Sequence, residues 1–233
     1  MSFSMAQYDA VISRIQDGMK KAVEEANAQA QSARSEFGWI PGLGDNVNQI
    51  LAEEMRLLKE AERRVDELLG WAGVPVFMWR MGDTWMSIAK EAMDSASELD
   101  RMLEQEKGMW DGRAGRKYKG AVPKQKSAVE QIQTSYANPI SSSCTATAVV
   151  GFGFYVAVAV AVAALVDGGI SAAVTEGAGM AAGLDMFFVA LAAAITELEI
   201  GVHVEARAFR QAGEVPDAFL SGRGHGRWPG STN

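Results

Sequence analysis

Few residues in this chain combine the types and spacing that catalysis needs. His203 and His225 are the only histidines, and Glu199 lies one helical turn before His203. Because a zinc site usually needs about three or four protein ligands, this pair falls short of a metal site. Cys144, the only cysteine, lies in an apolar segment, where the reactive thiolate form is disfavoured. We therefore expect no enzymatic activity, no metal and no other cofactor.

Composition and one glycine-rich stretch also bear on nucleotide and nucleic-acid binding. The stretch "GAGMAAG" at residues 177–183 superficially resembles a phosphate-binding turn, but such a turn needs a preceding strand, and its surroundings are predicted to be helical. The formal net charge is −7 and the pI is about 5.0. A chain with this charge lacks the basic field that recruits nucleic acid, so we expect no nucleic-acid partner.

The N-terminal half shows the pattern of amphipathic helices, with apolar residues at steps of three and four. The first helix covers about residues 4–33, the second begins at Asp45, and the third and fourth lie on either side of residues 110–112. We expect them to pack as an antiparallel bundle, because each must cover its apolar stripe. Pro123 predicts a kink or a later start in the fourth helix, and residues 138–143 predict its end.

The C-terminal half is dominated by two apolar segments. Residues 144–166 form a run of about 23 residues without a charge, which is long enough to cross a hydrocarbon core. A turn at residues 167–169 leads to a second segment, 170–200, that acidic residues interrupt and that is therefore a weaker candidate. Gly179 and Gly183 form a small-xxx-small pair, which we expect to pack the arms of this hairpin. A buried core helix is the alternative interpretation of the first arm.

A Trp-x-Gly sequence lies between the third and fourth helices. Ala114 and Tyr118 follow Trp110 at four-residue steps, so these side chains share one helix face. With Trp110 and Gly112 at the turn, segment 75–138 resembles the WXG (Trp-x-Gly) family, the small helical-hairpin substrates of type VII secretion systems in Gram-positive bacteria and actinobacteria. The resemblance implies two antiparallel helices that meet at this turn, pairing with a small WXG-type partner or with a second copy, and export as a folded helical pair.

Targeting signals and charge suggest where the protein acts. The N-terminus lacks a basic region followed by an apolar run, so we expect export, if it occurs, without a cleaved signal peptide. No tyrosine is followed four positions later by Asp or Glu, so the family's export signal would come from a partner. Lys and Arg cluster at residues 107–126 and again after residue 206, which favours a hairpin whose two ends stay on the cytoplasmic or anionic-lipid side.

These patterns predict an all-α protein with three regions. Residues 1–138 form an amphipathic bundle, 142–205 an apolar hairpin that associates with membrane, and 213–233 a disordered tail. The predicted function is that of a bacterial, non-enzymatic type VII secretion-associated protein or effector that inserts the hairpin into a lipid membrane. Glu176 and Asp185 are costly inside a bilayer but could line water, which extends the hypothesis to pore formation. Two alternatives are a soluble bundle that uses residues 144–200 as its core or oligomer interface, and a resident double-pass membrane protein.

Overall fold

In a computed structural model, the protein is described over residues 3–37, 39–40, 43–105, 112–172 and 178–222. These residues contain helices and no strand, which confirms the predicted all-α helical bundle. The helices are α1 Met5–Phe37, α2 Leu43–Leu69, α3 Gly73–Gln105, α4 Arg113–Gln131, α5 Asn138–Ala172 and α6 Ala178–Gly222. A π-helical segment, Ile132–Ala137, joins α4 directly to α5.

The structure is helical at two places where the sequence predicts a break. The helix α4 begins at Arg113 and runs through Pro123, so the predicted later start is wrong. Residues 138–143 do not end the helix but form the first turns of α5. The π-helical segment explains how, because the N–H of Asn138 bonds to the carbonyl of Gln133, five residues back. This wider turn precedes Pro139, whose ring would clash with a carbonyl in an ordinary α-helical turn.

The C-terminal end of the chain also differs from the prediction. Residues 213–222 continue α6, whereas they were predicted to belong to a disordered tail. Phe209, Ala212, Val215 and Phe219 recur at steps of three and four, which is a helical period in a stretch that also contains Gly and Pro. The rest of the predicted tail, 223–233, lies outside the described residues. The predicted turn at 167–169 is helical, since α5 continues to Ala172.

The helices are divided between two compact units. Unit 1 comprises Met1–Val76 and Val149–Gly201, and unit 2 comprises Phe77–Ala148 and Val202–Asn233. This division cuts across the one predicted from sequence, because unit 1 combines the first two amphipathic helices with most of the apolar hairpin. The physical reason is that α5 uses its apolar side chains to complete the core that α1 and α2 begin.

In unit 1, α1 and α2 form an antiparallel pair. Their buried residues follow one another at steps of three and four, and they are Ile15, Met19, Ala22, Ala26 and Ala30 on α1 and Leu51, Glu54, Leu58, Ala61 and Val65 on α2. From Ala22 onwards the buried side chains of α1 are alanines, whereas α2 buries two leucines and a valine.

Glu54 is the charged residue that this packing buries, with 7% of its surface exposed. In the described part of the chain no cation lies within ion-pair distance of it, and burial raises the pKa of its carboxyl group. Because the folded-state pKa is above the unfolded one, ionisation opposes folding. The free energy of unfolding therefore falls as the pH rises through the folded pKa.

We expect Glu54→Gln to raise the free energy of unfolding by about 1 kcal/mol at pH 7, because the neutral amide avoids burying a charge. The gain should shrink at pH 4, where the native carboxyl group is protonated. Urea unfolding of both proteins at the two pH values measures this. The control is Glu53→Gln, which removes an exposed carboxylate that pairs with Arg56 at 2.6 Å; it should give no gain. Equal stability of Glu54→Gln and the native protein at pH 7 would contradict the prediction.

In unit 2, α3 packs antiparallel to the segment that follows it. Asp100 pairs with Lys126 at 2.5 Å, and the Gln133 side chain donates to the Met93 sulfur at 3.6 Å. Both pairs are centred on residue 113, as expected for a hairpin that turns just before α4. Farther along, the Ser141 hydroxyl donates to the Gly82 carbonyl at 2.8 Å, so α3 also contacts the beginning of α5.

Candidate membrane-interaction site

Two helical segments of the described chain are long and apolar enough to cross a membrane, judged on length and composition. They are Arg113–Asp167, which includes most of α5, and Ala182–Gln211 of α6. In the first, 56% of the apolar stretch is buried inside the protein, and in the second only 17%. A core helix of a soluble protein also meets these criteria, so the two helices must be considered separately.

The apolar part of α5 is packed around most of its circumference. Its buried residues are Phe152, Phe154, Tyr155, Val158, Ala159, Ala161, Val162, Leu165 and Val166. The exposed positions Gly153, Val160 and Ala163 recur at helical steps and form one narrow stripe. In this structure α5 is therefore a core helix of unit 1, as in the alternative interpretation of the sequence.

Two tyrosine hydroxyls attach α5 and α1 to the end of α2. Tyr155 of α5 donates to the Leu68 carbonyl at 2.7 Å, and Tyr8 of α1 donates to the Ala72 carbonyl at 2.7 Å. The Leu68 carbonyl also accepts from the N–H of Trp71 at 3.0 Å, so the Tyr155 hydroxyl adds a second bond to it, and Ala72 lies in the turn between α2 and α3. The two rings meet edge to face, with centroids 5.6 Å apart at 89°. Burial raises the pKa of the Tyr8 hydroxyl, which keeps it in the neutral form that can donate.

Two further rings join these tyrosines. The group, which we call the aromatic cluster, consists of Phe3, Tyr8, Phe152 and Tyr155. Its ring centroids lie 5.6 to 6.1 Å apart, within the range in which aromatic pairs add stability beyond their buried area. The cluster thus holds the start of the apolar arm against α1.

Glycines allow α5 to approach its neighbours closely. A Cβ atom on Gly18 of α1 would lie 2.8 Å from Cγ1 of Val162, and one on Gly151 would lie 2.6 Å from Cγ of Pro75. Real Cβ atoms do not make contacts this short, so each of these positions accepts glycine alone without a shift of the neighbour. The structure therefore encloses α5 through specific close contacts and not only through its general hydrophobicity.

The helix α6 has two apolar faces, and unit 1 covers one of them. The inner face consists of Leu184, Phe187, Leu191 and Ala194, all buried. The outer face consists of Met186, Val189, Ala193 and Ile200, and Val189 and Ile200 are 71% and 62% exposed. Two exposed polar residues, Thr196 and Glu197, lie between Ala193 and Ile200 along this face. Exposed apolar residues that recur on one side of a helix are typical of an interaction surface.

Sequence reasoning missed this surface. The acidic residues of the second arm were interpreted as interruptions of an apolar segment. The outer face is nevertheless present in the sequence as a second set of apolar residues at helical steps. Asp185 and Glu199 are exposed beside it. These two acidic residues therefore flank the outer face, whereas exposed Glu197 lies on it between Ala193 and Ile200.

The predicted hairpin residues lie where α3 and α4 meet, but only some belong to the described part. Trp110 lies outside the described residues. Gly112 precedes α4 with φ of 140°, a backbone conformation that favours glycine, and its carbonyl accepts from the N–H of Arg116 at 3.1 Å. Ala114 is exposed and Tyr118 is partly exposed. The contact proposed among these residues stays a prediction.

The predicted glycine pair of the apolar hairpin lies in the first turns of α6. Gly183 is buried, at the beginning of the inner face. Gly179 is helical, but its surroundings lie outside what the structure describes. Farther along, a Cβ atom on Gly201 would lie 2.5 Å from Cγ1 of Val150, so this glycine makes a close contact of α6 with α5 that the sequence analysis did not single out.

The residues considered for catalysis are not brought together. Glu199 and His203 are both exposed on α6, and Cys144 is buried in unit 2. Within the described ranges, no group of three or more His, Cys, Asp or Glu residues could hold a metal ion. His225 lies outside these ranges.

Comparisons of the chain with models of protein families, with curated proteins and with solved structures found no match. The resemblance to the WXG family therefore stays a prediction that rests on the residues named above.

Proposed function

We propose that this protein is a non-enzymatic, membrane-associated helical protein that binds lipid through the outer face of α6 and then inserts the hairpin of α5 and α6. The observation that carries the proposal is the exposed outer face on a helix that is long enough to span a membrane. Exposed Val189 and Ile200 gain by leaving water for the acyl region, at about 25 cal/mol for each Å² of apolar surface.

The packing of α5 supports an order of events. Its apolar surface is covered by protein, so it can reach lipid only after the contacts of the aromatic cluster open. The outer face of α6 needs no such opening. Binding through α6 therefore comes first, and insertion of α5 follows, with pore formation by several inserted hairpins as the last step of the proposal.

The setting that we propose is type VII secretion in bacteria. Support comes from the ion pair of Asp100 with Lys126, which joins α3 and α4, the two helices that the Trp-x-Gly sequence separates along the chain. A WXG-type partner, or a second copy, would pack on this hairpin and supply the missing export signal. Coexpression with a short WXG protein, followed by affinity purification of the pair, tests this part separately.

The second candidate is a soluble helical bundle without a membrane role. The burial of α5 favours it, because a core helix of unit 1 needs no lipid. In this case a second copy covers the outer face of α6, and residues 144–200 supply both the core and the oligomer interface. The resident double-pass protein is the third candidate, and it requires α5 to lie in lipid from the start.

The decisive experiment alters the outer face and measures flotation with liposomes in the absence of detergent. We expect the double variant Val189→Glu/Ile200→Glu to reduce the bound fraction at least tenfold, since a carboxylate costs about 3 kcal/mol in the acyl region. Both side chains are exposed, so the fold should persist by circular dichroism. The matched control, Ala6→Glu/Ala28→Glu, adds the same charges at exposed positions of α1 and should bind like the native protein.

Three results would go against the proposal. Native protein that stays at the bottom of the gradient contradicts membrane binding. Equal flotation of the outer-face variant and the native protein shows that α6 is the wrong surface. An oligomer in light scattering without lipid, which the outer-face variant reduces to a 25.0 kDa monomer, would establish the second candidate instead.

A further inference from the structure

A row of cations lies on the outward side of α4, in unit 2. Arg113, Arg116, Lys117 and Lys124 recur at helical steps and are exposed. The buried residues Gly115 and Val122 lie on the opposite side of this helix, and buried Ala128 lies one turn beyond Lys124, where the row of cations ends. We call these four cations the basic face of α4.

Ion pairs do not neutralise this face within the described ranges. Some helical cations elsewhere pair with a carboxylate three or four residues away, as in Arg56 with Glu53 and Arg101 with Glu98. On α4 itself Lys126 contacts both Asp100 and Glu130. The four residues of the basic face make no such contact with a described carboxylate, because no acidic residue occurs from residue 112 to 129.

The position of these cations also makes them costly for the helix. Arg113, Arg116 and Lys117 lie in the first turns of α4, where the helix macrodipole is positive and disfavours further positive charge. Gly120, at the middle of the basic face, is exposed and has open space where a side chain would be. A protein of net charge −7 thus keeps an unfavourable, open cluster of cations that an anionic partner would stabilise.

We propose that the basic face of α4 binds the headgroups of anionic phospholipids. This inference rests on the proposed membrane function and adds to it the class of lipid that is recognised. A membrane is favoured over nucleic acid, because the same chain carries two helices in its described part that are long and apolar enough to span a bilayer.

The test compares vesicles of phosphatidylcholine alone with vesicles in which about 30% of the lipid is phosphatidylglycerol. We expect the native protein to bind the anionic vesicles at least a hundredfold more tightly in low salt, and the preference to fall when the salt concentration rises. In Arg116→Gln/Lys117→Gln, partitioning onto anionic vesicles should fall about twenty-fivefold, since each cation near such a surface contributes roughly a fivefold gain. Binding to phosphatidylcholine should not change.

The control variant is Lys59→Gln/Lys90→Gln, which removes the same net charge at exposed positions of α2 and α3. It should keep at least half of the native preference for anionic vesicles. An equal loss in both double variants would show that only bulk charge acts, which overturns the inference.

Failure of this inference and failure of the proposed function give different results. Native protein that binds both kinds of vesicle equally well overturns the role of the basic face and leaves the outer face of α6 in place. Native protein that binds neither vesicle overturns both. Tighter binding to duplex DNA than to anionic vesicles, lost in Arg116→Gln/Lys117→Gln, would assign the basic face to nucleic acid and refute the lipid proposal.

Discussion

Gly151→Leu is expected to lower the free energy of unfolding by about 3 kcal/mol, whereas Gly153→Leu, two residues away on α5, should raise it by about 0.8 kcal/mol. A Cβ atom on Gly151 would lie 2.6 Å from Cγ and 3.2 Å from Cβ of Pro75. The proline ring cannot rotate out of the way, so the helices must separate. Gly153 is exposed, and nothing lies within 4 Å of the position that its Cβ would take.

The two glycines form a matched pair, because the helix propensity gained is the same at both positions. Urea unfolding, monitored by circular dichroism at about 222 nm, gives the free energy of unfolding of each variant. Opposite signs show that α5 is enclosed through a specific contact at Gly151. Equal stabilisation in both variants would mean that Pro75 is not against α5 in solution, and that this part of the helix is free to contact lipid.

Tyr155→Ala is expected to remove about 4 kcal/mol of stability, because it leaves a cavity in the aromatic cluster and deprives the Leu68 carbonyl of its bond to the hydroxyl. Tyr155→Phe keeps the ring and should cost only about 1 kcal/mol. The control Trp71→Ala deletes an aromatic side chain that is 71% exposed and close in sequence to the same helix end. It should change stability by no more than about 0.5 kcal/mol.

The same variants test how the proposed insertion is controlled. If the aromatic cluster retains α5 in unit 1, Tyr155→Ala should release dye from vesicles at least tenfold faster than the native protein, at a temperature where both remain folded. Trp71→Ala should release it at the native rate. A variant that loses the expected stability and gives no faster release would show that α5 does not leave the core, and would favour the soluble bundle.

The sequence predicted the amphipathic helices well, because their apolar residues leave no choice of buried face. In α1, Tyr8, Ile15 and Met19 recur at helical steps in the sequence, and all three are buried. The environment of α5 could not be predicted in the same way. A helix that is apolar all round satisfies a bilayer and a protein core equally. In this protein, contacts between residues that are far apart in the sequence show that α5 lies in a protein core. Examples are Gly18 with Val162 and Tyr155 with Leu68.

The outer face of α6 could not be predicted from the sequence for a different reason. Along α6 two apolar stripes alternate, and the hydrophobic pattern alone does not say which of them faces the protein. The structure assigns Phe187 and Leu191 to the inside and Val189 to the outside. The basic cluster of α4 was visible in the sequence, but its concentration on one side of the helix depends on the helix beginning at Arg113 and not after Pro123.

The π-helical segment determines how α4 and α5 align with α3. It lies between the two places where α3 is held, the ion pair of Asp100 with Lys126 and the hydrogen bond of Gly82 with Ser141. Each π turn advances the chain by one residue more than an α turn does. The segment therefore works as a one-residue spacer that sets the rotational phase of α5 relative to α4, and deleting a residue from it would turn Ser141 about a quarter of a revolution away from Gly82.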